Sequence, residues 1–363
     1  MFGAKHYVPI LKGKRGELGA LHVLSDKTKN TLTPLIDIPR VTLVYPQKEP
    51  KHTLEKHLES VAKNILRSWG NMRRVFVDLS EFELLDRTSM GDHPLTYFFN
   101  LLREHSIQAI PTTGLDRDLR YNDALASVLA RDRLGAMIRV REEDIGSPQK
   151  LNAELDELLR SIAVNRRSAH LLLDFGAIGQ KNIRSLAKLA ICTINQLSEV
   201  SQWQSLTLAS SGLPETMSEV QSGGKTPVDR LELKLWRSVI GQSNGIARVP
   251  TFGDYGVVHP DFVDQDPRAI SPSAKIRYTL EDQWLIIKGR SLKRYKYAQY
   301  HTLAGLLVAE RGYRGRGFSW GDSYVADCAV QACGPGNLQT WVTVDTSHHL
   351  TLVAEQISNE RAV

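Results

Sequence analysis

Two hydrophobic patterns alternate along the chain. Short apolar runs ending in a polar or charged residue are followed by longer stretches with apolar residues at three- and four-residue steps. This pair recurs eight times in the first ~260 residues. The short runs are Tyr7 to Leu11, Leu32 to Ile36, Val75 to Val77, Ala109 to Pro111, Ala136 to Val140, Leu171 to Leu173, Leu206 to Ala209 and Ala247 to Val249. They are continuous rather than alternating, as expected of parallel strands covered on both faces. Between them, His52 to Trp69 sets Leu54, Leu58, Val61, Ile65 and Leu66 on one stripe, which predicts a helix. Leu95 to Leu102, Ala124 to Leu134, Leu151 to Ile162, Ile183 to Leu197 and Leu231 to Ile240 repeat that spacing, with Asp118 and Asn152 as capping candidates. No hairpin signal interrupts the alternation. A doubly wound open sheet would alternate too, but eight units favour closure. The expected class is α/β, a (β/α)8 TIM-like barrel over residues 1–260 with a C-terminal α+β extension.

The chain has 363 residues, more than one barrel needs. Val258 to Ala274, with Pro260, Pro267 and Pro272 among aspartates, reads as a linker. Residues 275–363 then form an α+β subdomain or a cap on the barrel. Ile276 to Ile287 contains a buried strand around Trp284 to Ile287, and His301 to Val308 is a short helix. Ser323 to Ala329 and Thr340 to Asp345 look strand-like, and a terminal helix or strand begins near His349.

No apolar run reaches the ~20 residues of a membrane span, and the opening MFGAKHYVPI reads as a strand rather than a signal peptide, so a cytoplasmic protein without membrane partners is expected. Cys192, Cys328 and Cys333 are odd in number and lack metal-type spacing, which argues against a disulfide framework or a zinc site. The formal net charge is +6. Its densest part, Lys288 to Arg316, interleaves cations with Tyr295, Tyr297, Tyr300 and Tyr313. That composition suits phosphates and stacked bases, or a solvated surface whose tyrosines pack inward.

In a barrel, working groups gather where the strands end. Lys12, Lys14, Asp37, Asp78, Arg139, Arg141, Asp174, Ser210 and Ser211 all stand at those ends. The carboxylates could hold Mg2+ or Mn2+ while Lys12 and Arg139 neutralise a phosphate, or acids and bases could simply pair. Asp254, Tyr255, Glu17 and Arg40 are secondary candidates. Lys12-Gly13-Lys14-Arg15-Gly16-Glu17, between strand and helix, could cradle a phosphate but lacks P-loop spacing. Ser210 and Ser211 lie in no nucleophile elbow. Glycosidase chemistry through Asp78 and Asp174 lacks the expected aromatics. In the tail, Trp320, Asp322, Trp341, His348 and His349 are polar and aromatic residues that a core does not demand. Adjacent histidines diverge, so at most one serves as ligand or base, and such pairs are mostly surface or helix-end material.

Tyr7-Val8-Pro9-Ile10-Leu11-Lys12-Gly13-Lys14-Arg15-Gly16-Glu17 and Pro34-Leu35-Ile36-Asp37-Ile38-Pro39 resemble the opening of the Beta protein family of temperate and satellite phages. Phe318-Ser319-Trp320-Gly321-Asp322, Trp341 and His348-His349 resemble its C-terminal signature. The resemblance implies a prophage or satellite accessory protein, encoded near a toxin-like killer and restraining it or acting with it in anti-phage defence. It brings no assigned catalytic residues. Two functions stay open: an antitoxin-like regulator or defence component recognising a co-encoded protein or a nucleic acid, and a barrel enzyme acting on a phosphorylated or nucleotide ligand.

Overall fold

The computed structural model describes residues 2–44, 47, 49–179, 182–216, 220–242, 245–261 and 271–360. Its strands are β1 (Tyr7–Lys12), β2 (Leu35–Asp37), β3 (Leu43–Val44), β4 (Glu49–Pro50), β5 (Val75–Asp78), β6 (Ala109–Gly114), β7 (Ala136–Arg141), β8 (Ala169–Ala177), β9 (Ser205–Ser211), β10 (Lys225–Asp229), β11 (Thr251–Asp254), β12 (Ser273–Thr279) and β13 (Gln283–Ser291). The helices are α1 (Arg15–Val23), α2 (Asp26–Lys29), α3 (Leu54–Trp69), α4 (Pro94–Glu104), α5 (Leu119–Asp132), α6 (Glu142–Ile145), α7 (Pro148–Ser161), α8 (Ile183–Gln196), α9 (Leu231–Ile240), α10 (Leu292–Tyr295), α11 (Gln299–Val308), α12 (Trp320–Ala329) and α13 (Leu338–Asn359). Parallel pairing in the order β1-β11-β9-β8-β7-β6-β5-β2 closes a barrel, with β2 returning to β1.

Two expectations about the barrel need correction. The eighth strand is Thr251–Asp254, not Ala247 to Val249, because Pro250 has no amide to give to a ladder. Asn152 is not the N-cap of α7, which is Ser147. Asn152 lies inside α7, and its side chain bridges Gln196 O and Ser198 N, whereas Asp118 does cap α5 through the amides of Arg120 and Tyr121. The alternation is also interrupted, by the β3–β4 hairpin and by β10, both inside βα links.

The two-residue period of each strand sorts the barrel's side chains. Val8, Ile10, Leu35, Phe76, Ile110, Met137, Leu172 and Ala209 form the interior cluster, floored by Phe2 and His170 around Phe76. One step further along the same inward faces stand Lys12, Asp37, Asp78, Arg139 and Asp174. Tyr7, Leu11, Ile36, Val77, Ile138, Leu171, Leu208 and Phe252 point outward to the helices.

In the tail, β10, β13 and β12 form an antiparallel sheet. Ala274, Ile276, Tyr278, Leu285 and Ile287 share a core with α11, α12 and the first half of α13. Trp284, Ile286 and Val228 instead meet Leu213, Val220 and Val257 from the barrel's loops, so the sheet covers one side of the mouth. The linker expected at Val258 to Ala274 falls partly outside the described residues, at 262–270.

Ser323 to Ala329 and Thr340 to Asp345 are helical rather than extended. The β-branched residues of α13 weigh less than its buried face and the reciprocal capping box of Asn337 and Thr340. Trp341 and Val344 belong to the tail core, while Leu350, Val353, Ala354 and Ile357 belong to the barrel core. α13 crosses α1 so closely that a Cβ on Gly16 would lie 2.7 Å from Val342 Cγ1. Its far end is tied to α9 by Arg237 and Glu360. α13 therefore stands between α1 and α9, in the place of an eighth barrel helix. A boundary between 260 and 275 divides the sequence but not the cores.

Candidate functional site

Arg139 rises from β7 at the centre of the barrel mouth and is 3% exposed. Its Nη1 donates to Asp37 Oδ1 and Asp78 Oδ2, both at 2.9 Å, its Nε to Asp174 Oδ2 at 2.8 Å, and its Nη2 to the Tyr255 hydroxyl at 2.9 Å. Tyr255 in turn donates to Asp174 Oδ2 at 2.6 Å. Backbone amides complete the set, with Ser80 N on Asp78 and Gly176 N on Asp174. A second layer lies above. Arg117 reaches both oxygens of Asp78 at 3.3 Å, and Lys12 Nζ lies 2.8 Å from Glu81 and 3.7 Å from Asp37.

Desolvation makes each charge depend on its neighbours. Burial pushes the Asp37 carboxyl up, against the pull of Arg139. For Asp78 burial acts the same way, but Arg117 and Arg139 together hold it below the usual carboxylate range. Arg139 stays cationic despite burial because Asp37, Tyr255, Asp174 and Asp78 surround it. Glu17, buried with the Lys12 amide on one oxygen at 3.2 Å, is pushed up to about 8 by desolvation. Breaking such a network by removing one partner costs about 3–5 kcal/mol. The carboxylates expected to hold Mg2+ or Mn2+ therefore do not fit a metal: a guanidinium stands between them. No described cluster of His, Cys, Asp and Glu offers three metal ligands.

Ser210 is not part of this network. It follows Leu208 on the outward face of β9, and Ser211 follows Ala209 inward, a one-residue distinction that reverses the side. Asp254 is outward for the same reason, while Tyr255 enters the mouth. Arg141 stands at the rim, 3.6 Å from Asp116 and about one-third exposed. Lys14 precedes α1, half-buried, and acts on Glu17 through its charge. The anticipated phosphate cradle is filled otherwise: Gly16 is pressed against α13, and Glu17 turns back to the Lys12 amide. Arg40 is a surface residue paired with Glu83. Arg117, Glu81 and Asp116 were not singled out by sequence. Their only signal is that they follow β5 and β6 within a few residues.

The tail motif residues join the two cores. His348 and His349 are both buried in mid-helix, not at a surface or helix end. They do diverge. His349 Nε2 lies 2.9 Å from Asp254 Oδ2 on the eighth strand, and its Nδ1 lies 2.9 Å from the Thr279 hydroxyl. Burial lowers the His349 pKa, so the ring is neutral, its proton on Nε2 facing the carboxylate. Tyr7 donates to the other oxygen of Asp254 at 2.5 Å, and Trp284 stacks on His349 at 4.8 Å. His348 faces two acceptors, Asp322 Oδ2 at 2.8 Å and Thr279 O at 2.9 Å. Asp322 also accepts from Tyr278 and Ser319. Trp341 is buried on Tyr300 at 4.4 Å, whereas Trp320 is exposed and stacks on Tyr324.

A cleft of ≈ 820 Å3 opens away from the mouth, at the turn between β12 and β13. Its charges are largely paired, Arg237 with Asp282 and Glu360, and Lys234 with Asp229. Among the described residues no helix is long and apolar enough to cross a membrane.

A family model described as "Beta protein" matches residues 7–355. No protein of curated function matches the chain. Among solved structures, two mutants of the tryptophan synthase alpha-subunit from the hyperthermophile Pyrococcus furiosus are similar at 8% identity, with TM-scores of 0.39 and 0.40, over 71% of this chain and 89% of theirs. The barrel assignment stands on the closed strand order itself.

Proposed function

Because the chain belongs to the Beta protein family, we propose that it is an accessory protein of temperate or satellite phages. It restrains a co-encoded toxin-like protein, or acts with one in defence against other phages, and does so in the cytoplasm. It works by recognising a macromolecular partner rather than by turning over a ligand in the barrel mouth. One observation carries this reading: the three mouth aspartates are already satisfied by Arg139, so the groups a barrel enzyme would use are committed to one another. The competing reading, an enzyme acting on a phosphorylated or nucleotide ligand, draws on Glu17, held protonated beside Lys12 near neutral pH. The test is protection of cells against the neighbouring toxin. Lys12→Ala, Glu17→Gln and Arg141→Ala, all folded, retain protection if the mouth is structural. Loss of protection in any of them with the fold intact overturns the binding reading and favours the enzyme.

A further inference from the structure

Between Asp282 and Glu310 the chain carries no carboxylate side chain, yet it holds Lys288, Arg290, Lys293, Arg294 and Lys296. The fold places most of them on one projection. Leu292 is buried and anchors α10, and the backbone turns through a left-handed Lys296 (φ 53°), leaving 293–298 exposed. Tyrosines here divide into two kinds. Tyr300 is buried against Trp341, and Tyr313 gives its hydroxyl to Asp322 O. Tyr295 and Tyr297 are 39% and 36% exposed and pack into neither core. Arg290 and Arg294 lie over the Tyr295 ring at 5.0 and 5.3 Å, so cations and an aromatic face are already assembled. Among the described residues Arg290, Arg294 and Lys296 form no ion pair.

We propose that this knuckle, Arg290 with Arg294, Tyr295, Lys296 and Tyr297, docks single-stranded nucleic acid, the cations on phosphates and the tyrosines under unpaired bases. Cations alone would suit any polyanion. The exposed rings single out a strand whose bases are free to stack, which a duplex does not offer. The patch is short, so affinity is modest, and each phosphate contact adds about 0.7 to the salt slope.

This inference rests on the binding reading above and names its partner class. The test uses the full chain and a labelled oligothymidylate of roughly 20 nucleotides, followed by anisotropy between about 50 and 200 mM salt. The expected result is salt-sensitive binding that is at least about tenfold tighter than to a duplex of equal length. Arg290→Gln with Arg294→Gln and Lys296→Gln weakens it about tenfold or more and lowers the salt slope by roughly 2. Tyr295→Ser with Tyr297→Ser weakens it about fivefold or more with the slope unchanged. All these side chains are exposed, so both variants keep the parent melting temperature. The proposal falls if the parent does not bind, if the duplex binds equally well, or if either variant binds like the parent. It also falls if polyglutamate or phosphatidylserine vesicles compete as well as oligothymidylate does. Toxin protection separates the two claims. Oligonucleotide binding without protection sinks the proposed function alone, and protection without oligonucleotide binding sinks this inference alone.

Discussion

At the barrel mouth Arg139 lies in the protein interior and touches three carboxylates, whereas on the tail knuckle Arg290 and Arg294 stand in solvent against a tyrosine ring. Desolvation explains the difference. A buried cation is tolerated only where carboxylates repay its lost hydration, so the mouth is close to neutral and internally satisfied. An exposed cation keeps its water and needs no partner from its own chain, so like charges can accumulate and remain available to another molecule. The mouth thus resembles a keystone, and the knuckle resembles an interface.

The strongest way to break this comparison is Arg139→Met. It takes the shared cation from Asp37, Asp78 and Asp174, leaving Lys12, Arg117 and Tyr255 beside them, and is expected to cost about 3–5 kcal/mol in urea unfolding. Adding Asp37→Asn, Asp78→Asn and Asp174→Asn should recover a large part. A cost under about 1 kcal/mol would show that the mouth is not held by this network.

Next is the seam between barrel and tail. His349→Ala empties Asp254 Oδ2 while Tyr7 and the Gly256 amide stay on Oδ1, and should cost about 2–3 kcal/mol. A double-mutant cycle with Asp254→Asn should give coupling above about 0.5 kcal/mol, and additivity would mean the seam is held by apolar packing.

A pH-dependent effect comes third. Glu17 ionises less readily in the folded than in the unfolded chain, rising from 4.5 to about 8, so the folded state holds the extra proton between those values. Its favourable contribution is complete below about 4.5 and lost as pH rises through about 8. Glu17→Gln keeps an oxygen for the Lys12 amide and removes that loss. It should be near neutral at low pH and stabilising above pH 8 by about 2 kcal/mol, against a ceiling of about 5 from the shift. Equal melting temperatures for the two proteins at high pH would show that Glu17 is already solvated there.

The smallest stability effect belongs to the knuckle. The Arg290→Gln, Arg294→Gln and Lys296→Gln variant should stay within about 0.5 kcal/mol of the parent in urea, although it carries the largest change in nucleic-acid binding. A loss of several kcal/mol would place these residues in the fold rather than on a surface.

The barrel and its acidic and basic strand ends were legible because each run is apolar on both faces and most stop at a polar or charged residue. α3 was legible through its stripe, and α5 also through Asp118. What was not legible followed from three causes. The eighth strand lay one proline beyond its apolar run, and the helices at Trp320–Ala329 and Leu338–Asn359 carry β-branched residues whose local preference yields to packing. Which residue of each pair at a strand end faces inward could not be read either. Asp254 and Ser210 looked like mouth residues, and Tyr255 and Ser211 hold that side.

By itself, the sequence determined the repeating β/α order, the closed α/β class, the ring of charged strand ends and the run free of carboxylates from Gln283 to Ala309. Those are properties of pattern and composition, which act through local periodicity. The tertiary structure alone decided that Asp37, Asp78 and Asp174 meet on one guanidinium, since they come from three separate strands. It alone decided that the two adjacent histidines serve two different cores, and that the last helix completes the barrel begun by the first strand. Those outcomes depend on closure, register and the desolvation of groups far apart in the chain, none of which a local pattern encodes.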